Sequence, residues 1–176
     1  WSQERPFRDR YKFVLRGLQT VFPGFIDDID FQSAGKTLVA RFYQEGLAHP
    51  KPLENESNGV LQMLVLLCNL VSSAEAGSII AIDEPENSLH PYAIRRFWMM
   101  ANAWARQHNL SIFLATHSIA LLDEANIENV FVMLTDVNSI RPVRLDQFRS
   151  KEWLSGFKLG ELYEQGEIGS NTDRES

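Results

Sequence analysis

Ile79-Ile80-Ala81-Ile82-Asp83-Glu84-Pro85 is the stretch that decides the reading of this chain. Four apolar residues run without a break into two acids, and a proline then stops the run. A short continuous apolar run is the pattern of a strand in a parallel sheet. In open α/β sheets, ligands bind just beyond the carboxyl ends of such strands. Successive residues on an extended chain point to opposite faces, so Asp83 and Glu84 can serve different purposes. One carboxylate suits Mg2+, a hard cation that takes oxygen ligands. The other suits a water that must be oriented or deprotonated. That combination points to nucleotide hydrolysis.

Working outward, a helix starts at His90-Pro91, with proline at a favoured early position, and extends to about residue 107. A second apolar strand follows over 110–115. A crossover of this length makes the two strands parallel. Asp83-Glu84 and Thr116-His117 are then expected on one edge of the sheet. Upstream, Phe7, Tyr11, Val14, Leu15, Leu18 and Val21 carry a helical period over 6–21. Two strands, 26–32 and 37–44, flank a Ser33-Ala34-Gly35-Lys36 turn. Pro50 and Pro52 make 45–56 a loop, and a strongly apolar helix spans 57–71. Downstream come a short helix at 118–122, a hairpin of 129–135 with 139–145, a helical stretch over 147–165 broken at Gly156, and a polar tail over 170–176.

Composition sets the outer limits. A chain of 176 residues suits one domain with a real core. The formal net charge of −6 gives no overall basic footprint for nucleic acid. Cys68 is alone, which excludes a disulfide framework and fits a reducing cytoplasm. No apolar run approaches the roughly 18–20 residues that span a bilayer, so no membrane partner is expected. The polar start, Trp1-Ser2-Gln3-Glu4-Arg5-Pro6, is not a signal peptide. It reads as a cut or processed end, with the chain as part of a longer protein. His49, His90, His108 and Cys68 lack metal-ligand spacing, and no Ser-His-Asp set is suggested. Trp98, Met99, Met100 and Trp104 cover several helix faces and read as core or lobe-interface packing.

Four segments occur in order: Ser57-Asn58-Gly59-Val60-Leu61-Gln62, Ile82-Asp83-Glu84-Pro85, Asn87-Ser88-Leu89-His90-Pro91 and Thr116-His117-Ser118. Together they resemble the C-terminal lobe of an ABC-type P-loop ATPase. The likeness is to the non-transporter branch: SMC and RecF-like proteins, the OLD family and anti-phage defence ATPases. Asp-Glu-Pro-Glu-Asn-Ser-Leu-His-Pro at 83–91 is specific to that branch. The resemblance makes Asp83 the Walker B aspartate, holding Mg2+ through water, and Glu84 the general base. Ser57, Asn58 and Gly59 stand in the signature position, which in the family contacts ATP held by the other protomer. Ser57 can cap the helix that follows, and free N–H groups with the helix dipole favour an anion there. Asn87 and Ser88 match the D-loop, and His117 matches the switch histidine that senses the γ-phosphate. The signature departs from the transporter form, with Glu56 in place of leucine and Asn58 in place of the first glycine.

Gly35-Lys36-Thr37 imitates the end of a phosphate loop, Gly-x-x-x-x-Gly-Lys-[Ser/Thr]. The first glycine of that pattern falls on Asp30, and the alternation from Thr37 to Phe42 is that of a strand, not a helix. It reads as a hairpin turn. The resemblance therefore implies an α/β lobe, mostly parallel sheet with packed helices and a small N-terminal β-hairpin, over residues 1–169. The N-terminal Walker A lobe of the family is missing from it. The expected function is ATP hydrolysis with Mg2+, driven by dimerisation with a second copy or an ATPase partner in trans. The expected setting is DNA metabolism or phage defence, with DNA and a nuclease effector as partners. The alternatives are a transporter nucleotide-binding subunit and a non-hydrolytic dimerisation module.

Overall fold

The computed structural model describes residues 5–35, 37–72, 75–136 and 139–169. The first four residues, Lys36 of the phosphate-loop imitation and the 170–176 tail lie outside the described residues. The chain divides into two compact units, Trp1–Thr116 and His117–Ser176.

The first unit opens with helix α1 (Arg5–Val21). Its Val14, Leu18 and Val21 recur three or four residues apart and are buried. Strands β1 (Asp28–Ala34) and β2 (Thr37–Tyr43) pair antiparallel, with Ala34 opposite Thr37. Gly35, at φ 65°, therefore belongs to a two-residue hairpin loop, and no helix follows it. Tyr11 ties α1 to this hairpin, because its hydroxyl lies on the Asp28 carboxylate and takes the Ile29 amide at 3.3 Å. Burial, reinforced by Asp28, pushes the Tyr11 phenol up to about 12.

The loop expected over 45–56 contains more structure than its prolines suggested. Lys51–Pro52 forms a short edge strand, β3, against Arg41 and Phe42. A single 3₁₀ turn, Leu53–Asn55, follows. The expected hairpin is thus a three-stranded antiparallel sheet. Pro52 is tolerated because a strand edge does not need its missing N–H.

Helix α2 (Asn58–Ser72) buries Val60, Met63, Leu66, Leu67, Leu70 and Val71. Burial pushes the Cys68 thiol up, which makes it a poor nucleophile. Helix α3 (Pro91–His108) buries Ala93, Ile94, Phe97, Ala101 and Trp104. Helices α1, α2 and α3 pack against one another to form the core of this unit. Trp104 belongs to that core and stacks on Phe13 at 4.3 Å, whereas Met99 is exposed.

Strands β4 (Ile79–Asp83) and β5 (Ser111–Ala115) are parallel, paired from Ile79 with Ser111 to Asp83 with Ala115. Among the described residues this pair is the parallel part of the fold. One face carries buried Ile80. The other is open, with Ile79 68% and Phe113 58% exposed. The apolar run that suggested a strand covered on both faces is therefore covered on one.

In the second unit, α4 (Ile119–Leu122) is followed by the antiparallel pair β6 (Phe131–Asp136) and β7 (Ser139–Arg144). The helical stretch expected over 147–165 is three short helices: α5 (Leu145–Phe148), α6 (Lys151–Leu154) and α7 (Leu159–Glu164). Besides the break near Gly156, the chain breaks at Arg149-Ser150, where the Ser150 hydroxyl caps α6 by accepting the Trp153 N–H at 3.3 Å. Val132, Leu145, Leu154, Leu159, Leu162 and Ile168 close the core of this unit.

Candidate functional site

Asp83 is the last residue of β4 and is exposed at the carboxyl edge of the parallel pair. The ladder runs one bond further, from the Glu84 N–H to the Ala115 carbonyl at 2.8 Å. Glu84 then turns the chain sharply, at φ 44°. Its exposed carboxylate is held from within the same loop, where the Asn87 amide donates to Oε2 at 2.8 Å. Backbone bonds from Asn87 N–H to the Glu84 carbonyl at 3.1 Å and from Leu89 N–H to the Glu86 carbonyl at 2.8 Å fix the loop's shape. Thr116, which follows β5, donates to Glu86 Oε1 at 2.8 Å and ties this loop to the neighbouring strand end. Acids and threonine thus share one sheet edge, as the crossover length predicted.

The start of α2 reaches the same loop. Ser57 caps it, accepting the Val60 N–H on its hydroxyl at 3.4 Å, and both Ser57 and Asn58 are exposed. A Cβ on Gly59 would lie 3.0 Å from the Ser88 carbonyl oxygen. Glycine is what allows the helix start and the loop to approach this closely. Ser88 itself has φ 64°. His90 closes the loop as the N-cap of α3, its Nδ1 accepting the Tyr92 N–H at 3.2 Å. The structure therefore brings Gly59 against Ser88, and Asn87 against Glu84.

His117 is the first residue of the second unit and is exposed. Its Nδ1 lies 2.6 Å from the Tyr163 hydroxyl on α7. Among the described residues there is no cluster of three or more His, Cys, Asp or Glu that would hold a metal by itself. Mg2+ bound with a nucleotide does not need one, because phosphates and waters supply most of its ligands and one carboxylate suffices. Asp83, exposed at a strand end, fits that requirement.

A family model described as "AAA domain, putative AbiEii toxin, Type IV TA system" matches residues 3–123. The chain belongs to this family. A search of curated proteins gave no significant match. The fold of this AAA domain is similar to a solved SMC ATPase chain, described under "Structural biochemistry of ATP-driven dimerization and DNA stimulated activation of SMC ATPases". The two are 12% identical with a TM-score of 0.52, over 85% of this chain and 94% of that one. Family and fold place this AAA domain among nucleotide-binding P-loop ATPases of the ABC-type, non-transporter branch. No helix among its described residues is long and apolar enough to cross a membrane.

Two contacts of the AAA domain were beyond sequence reasoning. Asn87 was read as a D-loop residue, and nothing in its spacing announced a bond to Glu84. Tyr163 lies 46 residues from His117 in a segment to which no chemistry had been assigned.

Proposed function

We propose that this chain is the Walker B, signature and switch half of an ATPase that hydrolyses ATP with Mg2+. The observation that carries the reading is the pair of exposed carboxylates at the end of β4, one of them bonded by Asn87. In this reading Glu84 aligns a water and takes its proton as the water oxygen attacks the γ-phosphorus. The bond to the β-phosphate breaks, giving ADP and phosphate. Asn87 holds the carboxylate so that its free oxygen faces the water. Asp83 is the residue to hold Mg2+, which supplies charge neutralisation on the phosphates. His117 faces the γ-phosphate. Ser57, Asn58 and Gly59 at the start of α2, with Asn87 and Ser88, complete the site of a second protomer. ATP then acts as the bridge of a dimer.

Residues 1–169 form one lobe in this proposal, and the phosphate loop comes from sequence outside this chain or from another polypeptide. Two observations support that. The Gly35-Lys36-Thr37 segment is a hairpin and is unsuited to cradle phosphates. The open apolar face of β4 and β5, with Ile79 and Phe113 exposed, is what a covering lobe would bury. The described likeness to SMC ATPases with ATP-driven dimerisation and DNA-stimulated activation favours a homodimer and DNA as a partner. The toxin–antitoxin wording of the family favours a defence setting in the cytoplasm, with a nuclease effector as a further partner.

The test is phosphate release from the full-length or lobe-complemented protein, set beside the 176-residue chain alone. Complementation should give Mg2+-dependent hydrolysis, and the chain alone should give little or none. Appreciable turnover by the chain alone would overturn the account of the absent phosphate loop.

A further inference from the structure

The closing segment of the chain, residues 159–169, converges on one side chain. α7 is packed hard against α4 at Gly160. A Cβ there would lie 2.4 Å from Ile119 Cγ2, 2.7 Å from Asp123 Oδ1 and 2.9 Å from the Ile119 carbonyl oxygen. Two of those atoms belong to side chains, but the third is backbone and cannot swing aside. Asp123 also accepts the Gly160 N–H at 3.0 Å, which fixes the first turn of α7 against α4. The other end of α7 is locked as well. Gly166 N–H bonds the Tyr163 carbonyl at 3.1 Å and Glu167 N–H bonds the Leu162 carbonyl at 2.9 Å, the paired bonds of a Schellman cap. Buried Leu159, Leu162 and Ile168 hold the segment in the core. Tyr163 lies one turn after Gly160, and its hydroxyl meets His117 Nδ1 at 2.6 Å, two residues before α4 begins.

We propose that Tyr163 is a positioning residue for His117: its hydroxyl donates to Nδ1 and so leaves the imidazole proton on Nε2. The physical argument is the distinctness of the two ring nitrogens. Which nitrogen carries the proton in a neutral imidazole is set by the bond the other one makes. A tyrosine O–H donating to Nδ1 requires that nitrogen to be bare, so Nε2–H becomes the outward donor. The same bond fixes the plane of an otherwise exposed ring. That His117 then offers its N–H to a γ-phosphate oxygen rests on the reading under Proposed function; the tautomer and the tyrosine bond do not. Gly160 acts one step further back, because its lack of a side chain lets α7 come close enough for Tyr163 to reach.

The experiment is a long-range 1H–15N correlation spectrum of the imidazole rings in the 15N-labelled 176-residue chain, at a pH of about 8 where an ordinary histidine is neutral. His117 is assigned by loss of its signals in His117→Gln. The expected wild-type pattern is Nε2–H with a hydrogen-bonded, proton-free Nδ1. In Tyr163→Phe, which keeps the ring and removes only the hydroxyl, the Nδ1 resonance should move downfield to the position of an unbonded acceptor nitrogen. Gly160→Ala, which leaves the hydroxyl in place but displaces α7, should move it the same way. A wild-type Nδ1–H tautomer, or an Nδ1 resonance unchanged by Tyr163→Phe, overturns the proposal. In the lobe-complemented protein Tyr163→Phe should lower kcat roughly 10-fold with little change in KM for ATP. If the spectrum changes as expected while kcat does not, Tyr163 still positions the ring, and it is the phosphate role of His117 that falls.

Discussion

Glu84 and Ser88 share a backbone conformation with Asn109 but not a reason for it. Among the described residues these three are the non-glycine positions at positive φ, at 44°, 64° and 54°. Asn109 follows the last turn of α3, where its N–H bonds the Ala105 carbonyl. A left-handed residue is the common way to end a helix, and asparagine tolerates it. Glu84 and Ser88 end no helix, and neither residue type is suited to this angle. The conformation costs an ordinary L-residue roughly 1–2 kcal/mol. Glycine would remove that cost, yet a carboxylate and a hydroxyl stand there. Sub-optimal residues held in a sparse region of backbone space cluster at functional loops. The difference between a helix end and the strand-end loop is therefore a difference between strain that structure explains and strain that chemistry explains.

The largest effect should come from the loop. In the lobe-complemented protein, Glu84→Gln should keep ATP binding and lower hydrolysis on the order of 10²–10⁴-fold, the range of general-base catalysis. Wild-type turnover in that variant would remove Glu84 from the role of base. Next comes Gly59→Ala, whose added carbon would press on the Ser88 carbonyl 3.0 Å away. It should lose about 1–3 kcal/mol of stability by overpacking, read as a lower denaturation midpoint, and lose turnover with it. Ser88→Gly should do the reverse to stability, gaining up to about 1 kcal/mol by relief of strain, while turnover falls. A Ser88→Gly protein that is neither more stable nor less active would break the comparison. Smallest of all, Asn109→Gly should shift stability by under about 0.5 kcal/mol and leave hydrolysis untouched.

The sequence was read well where a pattern was local. The apolar run into Asp83-Glu84 located β4 and its end, and the distance to Leu110 fixed the parallel pairing. Thr37 to Phe42 alternated as a strand, so Gly35-Lys36-Thr37 was recognised as a turn despite its likeness to a phosphate loop. Ser57 announced the start of α2. Reading failed where partners were distant or short. Lys51–Pro52 became an edge strand because Arg41 and Phe42 were there to pair with it, which prolines alone disguise. The helical stretch after residue 145 broke twice, because capping by Ser150 competed with continuation of the helix. The open face of β4 was unreadable too, since an apolar residue looks the same whether it is covered or waiting for cover.

What the sequence determined by itself was the identity and order of the chemical groups: two acids closing a strand, a capped helix start upstream, a histidine closing the next strand. Hydrophobic period, chain length between runs and side-chain chemistry are local quantities, and a linear text contains them. Only the tertiary structure decided that Asn87 grips Glu84, that Gly59 touches Ser88 and that Tyr163 reaches His117. Those contacts depend on backbone angles and close packing that the rest of the fold imposes. A hydrogen bond spanning 46 residues leaves no periodic trace in the chain that makes it.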